Sequence, residues 1–314
     1  MKIRQWGRNS LKHIVFYSGG LGSWMTAKRV VQEHGKENVI CLFTDTFIED
    51  DDLYRFLIET TQEIYEIDCM DLIELTQYIP PTSHTSMKSR KEYLTEIATK
   101  VIKRNPNFVW INDGRDPWEV FRDSRYLGNS RIAQCSHKIK QELSARYIKA
   151  NFTPEDCVLY LGIDWTEEHR TKAPRKNWSP YRVEFPMCEE PLLTKIDAIK
   201  ALEQVGIETP RLYGMNFAHN NCGGFCVRAG QGHFVNLLEK NRDLYLYHEE
   251  KEQEMREYLG KDVAILRRTR NKVKIPLTLR MLREEVETDQ TEQIDMFDIG
   301  GCGCFVEDIG EAEV

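Results

Sequence analysis

The sequence predicts an α/β protein: a doubly wound parallel sheet, followed by a mainly helical, cysteine-bearing part. Three observations carry this. Apolar runs at 13–17, 39–43, 108–112 and 158–162 lack polar alternation, as strands buried on both faces do. Each run ends in small or polar residues. Segments of helical periodicity lie between them, so the strands pair in parallel with helices covering the sheet, the Rossmann-like arrangement whose ligands sit above the strand ends.

The elements follow in order. The first run leads directly into Ser18-Gly19-Gly20-Leu21-Gly22-Ser23, and a helical pattern covers 24–34. Glycines let the backbone approach a ligand, and successive N–H groups at a helix N-terminus attract an anion. Ser18, Gly19, Gly20, Gly22 and Ser23 are therefore candidates to cradle phosphate or pyrophosphate. The second run ends in Thr44-Asp45-Thr46. Asp45 is a candidate for a ribose hydroxyl or a magnesium ion, or else a turn or helix cap. A helix is expected over 53–66, and after Pro80-Pro81 a basic one over 82–105. The third run closes on Asp113-Gly114-Arg115, and a helix over 137–149 precedes the fourth. From Cys188 onward amphipathic helices are expected at 194–206 and 234–259, the second with a solvated Glu/Lys face. Beyond them, 263–266 and 272–275 are expected to pair around a basic turn, a charged hairpin or a nucleic-acid contact. The expected organisation is a nucleotide-binding domain at 1–187 and a helical region at 188–314.

Composition narrows the function classes. A net charge of −7 argues against wholesale binding to nucleic acid and leaves room for a local basic face. No run approaches 18 apolar residues, so no membrane span is expected. Met1-Lys2-Ile3-Arg4-Gln5-Trp6-Gly7 has no apolar signal core, and a cytoplasmic location is expected. Nine cysteines in a reducing compartment favour metal or redox chemistry over disulfides. Cys41, Cys69 and Cys157 lie in apolar stretches and read as small buried hydrophobes, and Cys188 carries no signal. Cys222 and Cys226 flank Gly223-Gly224, a hairpin that lets two thiolates converge on one soft metal centre. Cys135 is a candidate third ligand, and Cys302 or Cys304 a fourth. Spacing alone leaves iron–sulfur and zinc both open. His219 is a candidate substitute ligand or a structural histidine. Cys302 or Cys304 could instead be a nucleophile, although Glu307-Asp308 supplies acids where a thiolate needs a cation. Lys138 and Arg170 read as phosphate clamps or as surface ion pairs.

Ser18-Gly19-Gly20-Leu21-Gly22-Ser23 with Asp45-Thr46 closing the second strand resembles the PP-loop superfamily, the ATP pyrophosphatases and the phosphoadenosine phosphosulfate (PAPS) reductases. Three later segments are similar to the PAPS reductase branch, more narrowly its bacteriophage and bacterial members. Ile132-Ala133-Gln134-Cys135-Ser136-His137-Lys138-Ile139-Lys140 resembles its Cys-x-x-x-Lys segment. Leu161-Gly162-Ile163-Asp164-Trp165-Thr166-Glu167-Glu168-His169-Arg170 resembles its Gly-Ile-Arg-x-x-Glu-Ser-x-x-Arg segment. Asn221-Cys222-Gly223-Gly224-Phe225-Cys226 resembles its late Gly-Cys-x-x-Cys element. The chain departs at Gly22, where ATP pyrophosphatases usually carry Asp, and at Asp164, where the motif has Arg.

The resemblance implies an enzyme binding ATP or an adenylyl sulfonucleotide with magnesium. Ser18, Ser23, Asp45 and Arg170 would be catalytic, with Gly19, Gly20, Gly22, Lys138 and Gly162 completing the nucleotide site. It also implies a 4Fe-4S cluster, with zinc as the alternative, on Cys135, Cys222, Cys226, Cys302 and Cys304. Three activities are compatible with it: ATP pyrophosphatase-type adenylation linked to sulfur transfer or modification, sulfite release from PAPS or APS, and a nucleotide-binding subunit of a defence or modification complex. Implied partners are a nucleic-acid or small-molecule acceptor and a sulfur or electron donor protein.

Overall fold

The structure, a computed structural model, describes residues 11–270 and 272–288. The strands are β1 (Lys12–Phe16), β2 (Val39–Asp45), β3 (Phe108–Asn112), β4 (Cys157–Tyr160) and β5 (Arg182–Glu184). They form one parallel sheet in the order β3-β2-β1-β4-β5. The fold is α/β with the doubly wound arrangement that the apolar runs predict. Only β5 is absent from the sequence reading. Its three residues, with Arg182 exposed, have too little apolar signal to stand out.

Strand alternation explains why both faces are apolar. Val15, Tyr17, Cys41, Phe43, Phe108, Trp110, Val158 and Tyr160 point to one face. There α1 (Leu21–His34), α2 (Asp51–Tyr65), α3 (Met70–Leu75) and α4 (Met87–Arg104) cover them. Ile14, Phe16, Ile40, Leu42, Val109 and Leu159 point to the other face, against Tyr147, Ile148, Trp178 and Phe185. α5 (Pro117–Asp123) and α6 (Leu143–Asn151) belong to the crossover from β3 to β4. That crossover carries the chain past β1, so the strand order reverses between β1 and β4.

After α7 (Lys172–Asn177) and β5, α8 (Lys195–Gln204) packs back on α1, its Ala198 and Leu202 buried in the first core. α9 (Arg211–Gly214), α10 (Gln231–Lys240), α11 (Arg242–Leu259), the antiparallel hairpin of β6 (Leu266–Arg270) and β7 (Val273–Leu277), and α12 (Leu279–Glu287) follow. These build a second core that also takes in Ile48, Trp118, Phe121, Leu127 and Ala133. The cores therefore do not divide at the expected 187/188 boundary: α8 belongs with the sheet, and α5 with the helical part. The long helix expected over 234–259 is two helices, separated where Asn241 caps α11 by accepting the Leu244 N–H. The expected pairing of 263–266 with 272–275 is shifted toward the C-terminus, Leu266 facing Leu277. Among the described residues, no helix is long and apolar enough to cross a membrane.

Candidate functional site

A cleft of about 170 Å³ opens above the C-terminal ends of β1, β2 and β4, where the strand order reverses. Ligands of open parallel sheets bind at this switch point. Ser18, Gly20, Gly22 and Ser23 line it from the β1 side, Gly162 and Arg170 from the β4 side. The helix start is open: Gly20 at the N-cap supplies no side-chain cap, and the first turn of α1 carries no acid. Leu21 N–H donates to the Tyr213 hydroxyl at 3.3 Å and Trp24 N–H to the Gly20 carbonyl at 3.2 Å. Among the described residues, the N–H groups of Gly20, Gly22 and Ser23 find no acceptor. Ser23 Oγ donates to the Gly20 carbonyl at 2.8 Å and accepts from Ser18 Oγ at 3.4 Å, which holds both hydroxyls at the loop.

Close backbone packing explains Gly22 and Gly162. A Cβ at 162 would stand 2.8 Å from the Gly22 carbonyl carbon and oxygen, and one at 22 would stand 3.0 Å from the Gly162 oxygen. The β1 and β4 loops touch through these two residues. Aspartate at 22, usual in ATP pyrophosphatases, would push into that contact. Asp164 does not line the cleft. It caps the turn at Trp165–Thr171, accepting from Thr166 N–H at 2.8 Å and Thr166 Oγ1 at 2.5 Å. Arg170 lies along the cleft with Glu167 as an ion-pair partner.

Two site expectations are placed differently. Asp45 is fully buried and does not line the cleft. Its Oδ1 accepts from Phe47 N–H at 2.7 Å and Tyr54 OH at 2.9 Å, and its Oδ2 from Trp110 Nε1 at 3.0 Å. Burial pushes its pKa up to about 6 despite those donors. Asp45 braces the end of β2 rather than facing a ribose or a magnesium ion. Lys138 is likewise outside the cleft, paired with Glu142 at 2.8 Å and two-fifths exposed. Lys140 lines it instead. The reason is helical winding. Residues 136–142 form a π-helix, in which every fifth residue returns to nearly the same side. In an α-helix residues five apart face different ways, and position i+3 would have shared the face of Cys135.

A second, small cavity, of about 20 Å³, adjoins the first and shares Lys140 with it. Cys135, Cys222 and Cys226 all line it, with Thr46, Ser136 and Ile48. None of the described cysteines is in a disulfide. Lys140 Nζ lies 3.3 Å from Glu49 Oε1 and 3.8 Å from Cys222 Sγ. Glu49 also accepts from Thr46 Oγ1 at 2.9 Å and from the Cys222 N–H. Gly223, at φ 60°, packs so tightly that a Cβ would stand 2.6 Å from the Ile48 carbonyl oxygen. Only glycine fits both demands. Behind this contact the fully buried Arg90 donates to the carbonyls of Phe47 (2.6 Å), Glu49 (2.7 Å) and Pro80 (2.7 Å) and pairs with Asp51 at 2.6 Å. Arg90 thus fixes the 47–51 loop on which the cysteine hairpin sits.

Among the described residues, the one trio of ligating side chains with donor atoms all within 4.8 Å is His84, Glu250 and Glu254. Zinc–sulfur bonds of about 2.3 Å would hold three thiolates closer together than that, so Cys135, Cys222 and Cys226 are spread more widely than around one zinc ion. Ser136 Oγ is buried at the cavity and has no hydrogen-bond partner among the described residues. Cys302 and Cys304 lie outside the described residues. Cys41, Cys69 and Cys157 are buried in the sheet layers, and burial pushes the Cys41 and Cys157 thiols up to about 12, as inert core cysteines should be. His219 lines the first cleft and not the cysteine cavity. The sequence does not single out Glu49, Arg90, Tyr213 and Asn220, none of which carries a local motif, and it shows Lys140 only as the end of the segment that begins at Ile132.

No protein-family model and no curated protein matches the chain.

Proposed function

We propose that this chain is a PP-loop-type enzyme that binds ATP or another adenylyl nucleotide by its anionic end and acts at the α-phosphate, beside a cysteine-held 4Fe-4S cluster. One observation carries the reading: three unmatched N–H groups and two serine hydroxyls gather at an open helix start, at the switch point of a parallel sheet. In this reading those donors hold the leaving pyrophosphate, and the Arg170 fork neutralises charge as it develops. An acceptor oxygen attacks the α-phosphorus and takes the adenylyl group as the bond to pyrophosphate breaks. The soft donor set of Cys135, Cys222 and Cys226, wider than one zinc ion needs, suits a cluster. Such a group would supply single-electron transfer or a soft site for sulfur. Lys140, between the two cavities, would offset negative charge on either side.

The test is product analysis. Incubation with Mg·ATP and no added acceptor is expected to yield pyrophosphate and AMP, water taking the adenylyl group in place of the acceptor oxygen. Ser18→Ala and Ser23→Ala are each expected to weaken ATP binding on the order of tenfold, by calorimetry, with little change in melting temperature. Sulfite release from PAPS without AMP formation from ATP would assign the cleft to a sulfonucleotide reductase, a reading favoured by Lys140 lying between thiol and cleft. Iron in anaerobically purified protein should fall in Cys222→Ala and Cys226→Ala and persist in Cys157→Ala. Stoichiometric zinc with no iron would overturn the cluster.

A further inference from the structure

Of the two polar atoms of the Asn220 amide, one has a hydrogen-bond partner among the described residues. It is 1% exposed and lines the nucleotide-side cleft. Nδ2 donates to the Gly19 carbonyl at 2.8 Å, and that bond fixes which end of the amide is oxygen. Oδ1 is buried and has no partner among the described residues. A buried acceptor left unmatched costs about 1–3 kcal/mol, so its place beside the phosphate loop calls for a matching donor.

We propose that Asn220 positions the loop and selects for a divalent cation: Nδ2 keeps the Gly19 carbonyl turned away from bound phosphates, while Oδ1 faces a hydrated magnesium ion carried in on them. The proposal rests on the nucleotide reading above. Across a trans peptide the Gly19 carbonyl and the Gly20 N–H point in opposite directions, so tethering one orients the other. The Gly20 N–H is one of the unmatched donors of the cleft. Phosphate oxygens are acceptors, and so is Oδ1. Two acceptors tolerate each other only with a donor or a cation between them. Magnesium takes oxygen ligands and keeps several of its waters, which donate. Asp45, expected from sequence to hold this ion, has its carboxylate occupied by three donors in the core.

The experiment is calorimetry of ATP binding to the full chain, with Mg²⁺ and with EDTA, for wild type, Asn220→Ala and Asn220→Asp. Asn220→Ala is expected to lose on the order of tenfold in affinity with Mg²⁺, and less in EDTA. Asn220→Asp places a carboxylate toward the phosphates. Its affinity in EDTA should fall on the order of tenfold below that of Asn220→Ala and recover with Mg²⁺ to within a few-fold of wild type. Equal losses with and without Mg²⁺ in both variants would overturn the proposal. Wild type that binds ATP equally well in either buffer would do the same. Wild type that binds no ATP in either buffer would overturn the nucleotide reading, and this one with it. Should Asn220→Asp not fold, Mn²⁺ affinity in the ATP complex, read by electron paramagnetic resonance, decides: it should be weaker in Asn220→Ala, and equal affinity sinks the idea.

Discussion

The two cavities that meet at Lys140 are opposites in chemistry. The larger one is open and lined by backbone, with unmatched N–H groups at the start of α1. The smaller one is lined by three cysteines together with Ile48, Ala133, Phe225 and Val227. The first suits a hard anion, the second a soft centre in low dielectric. What joins them is one buried cation compensated by one buried anion, Lys140 and Glu49. A strand end running into a helix provides the first kind of site almost without side chains, whereas the second has to be assembled from three distant stretches of chain. The first is therefore local in its requirements, and the second is not.

Removing the shared group breaks the comparison most severely. Lys140→Met leaves Glu49 buried without its cation, and a loss of about 3–5 kcal/mol in unfolding free energy is expected. Chemical denaturation measures it. The double variant Lys140→Met with Glu49→Gln should recover much of the loss, and failure to recover would mean that Lys140 acts through other contacts.

Asp45 gives the next largest effect. Its pKa is pushed up to about 6 by burial, so between about pH 4 and pH 6 the folded chain holds a proton that the unfolded chain releases. Stability contributed by the protonated carboxyl is therefore present at low pH and lost as pH rises through about 6, by roughly 3 kcal/mol. Melting curves from pH 4 to 7 should show this slope in wild type and a flatter profile in Asp45→Asn. An identical slope in both would remove Asp45 as its source.

Gly162→Ala sharpens the comparison on the cleft side alone. Its Cβ meets the backbone of Gly22 and Ser23, which has no rotamer by which to yield. A loss of about 1–3 kcal/mol is expected, together with weaker ATP binding as the loop shifts, while iron content stays unchanged. The smallest effect belongs to Lys138→Ala. Its exposed pair with Glu142 is worth less than about 0.5 kcal/mol, and neither nucleotide affinity nor metal content should move.

Much of the cleft was legible because its demands are local. Ser18, Gly20, Gly22 and Ser23 fall on one turn between a strand and a helix, and chain connectivity alone puts them together. Gly162 and Arg170 are legible too, on the loop after β4, the strand beside β1 in the sheet. Of the two readings open for Asp45 the structure gives the turn cap, since the end of a strand shows which residue is there and not which way its carboxylate turns. Trp110, from the neighbouring strand, and Tyr54, from α2, claim it. Lys138 reads from the sequence as a phosphate clamp or a surface ion pair, and the structure gives the ion pair with Glu142, while Lys140, on the π-helical turn at 136–142, lines the cleft.

By itself the sequence determined the parallel sheet and the glycine-rich turn from its first strand into the first helix, since these depend on period, composition and neighbours along the chain. Tertiary structure alone decided that Cys135 shares a cavity with Cys222 and Cys226, that Arg90 and Glu49 underlie them, and that Lys140 connects the two sites. Those facts depend on contacts between residues far apart in the chain. Packing and burial create such contacts, and no local pattern encodes them.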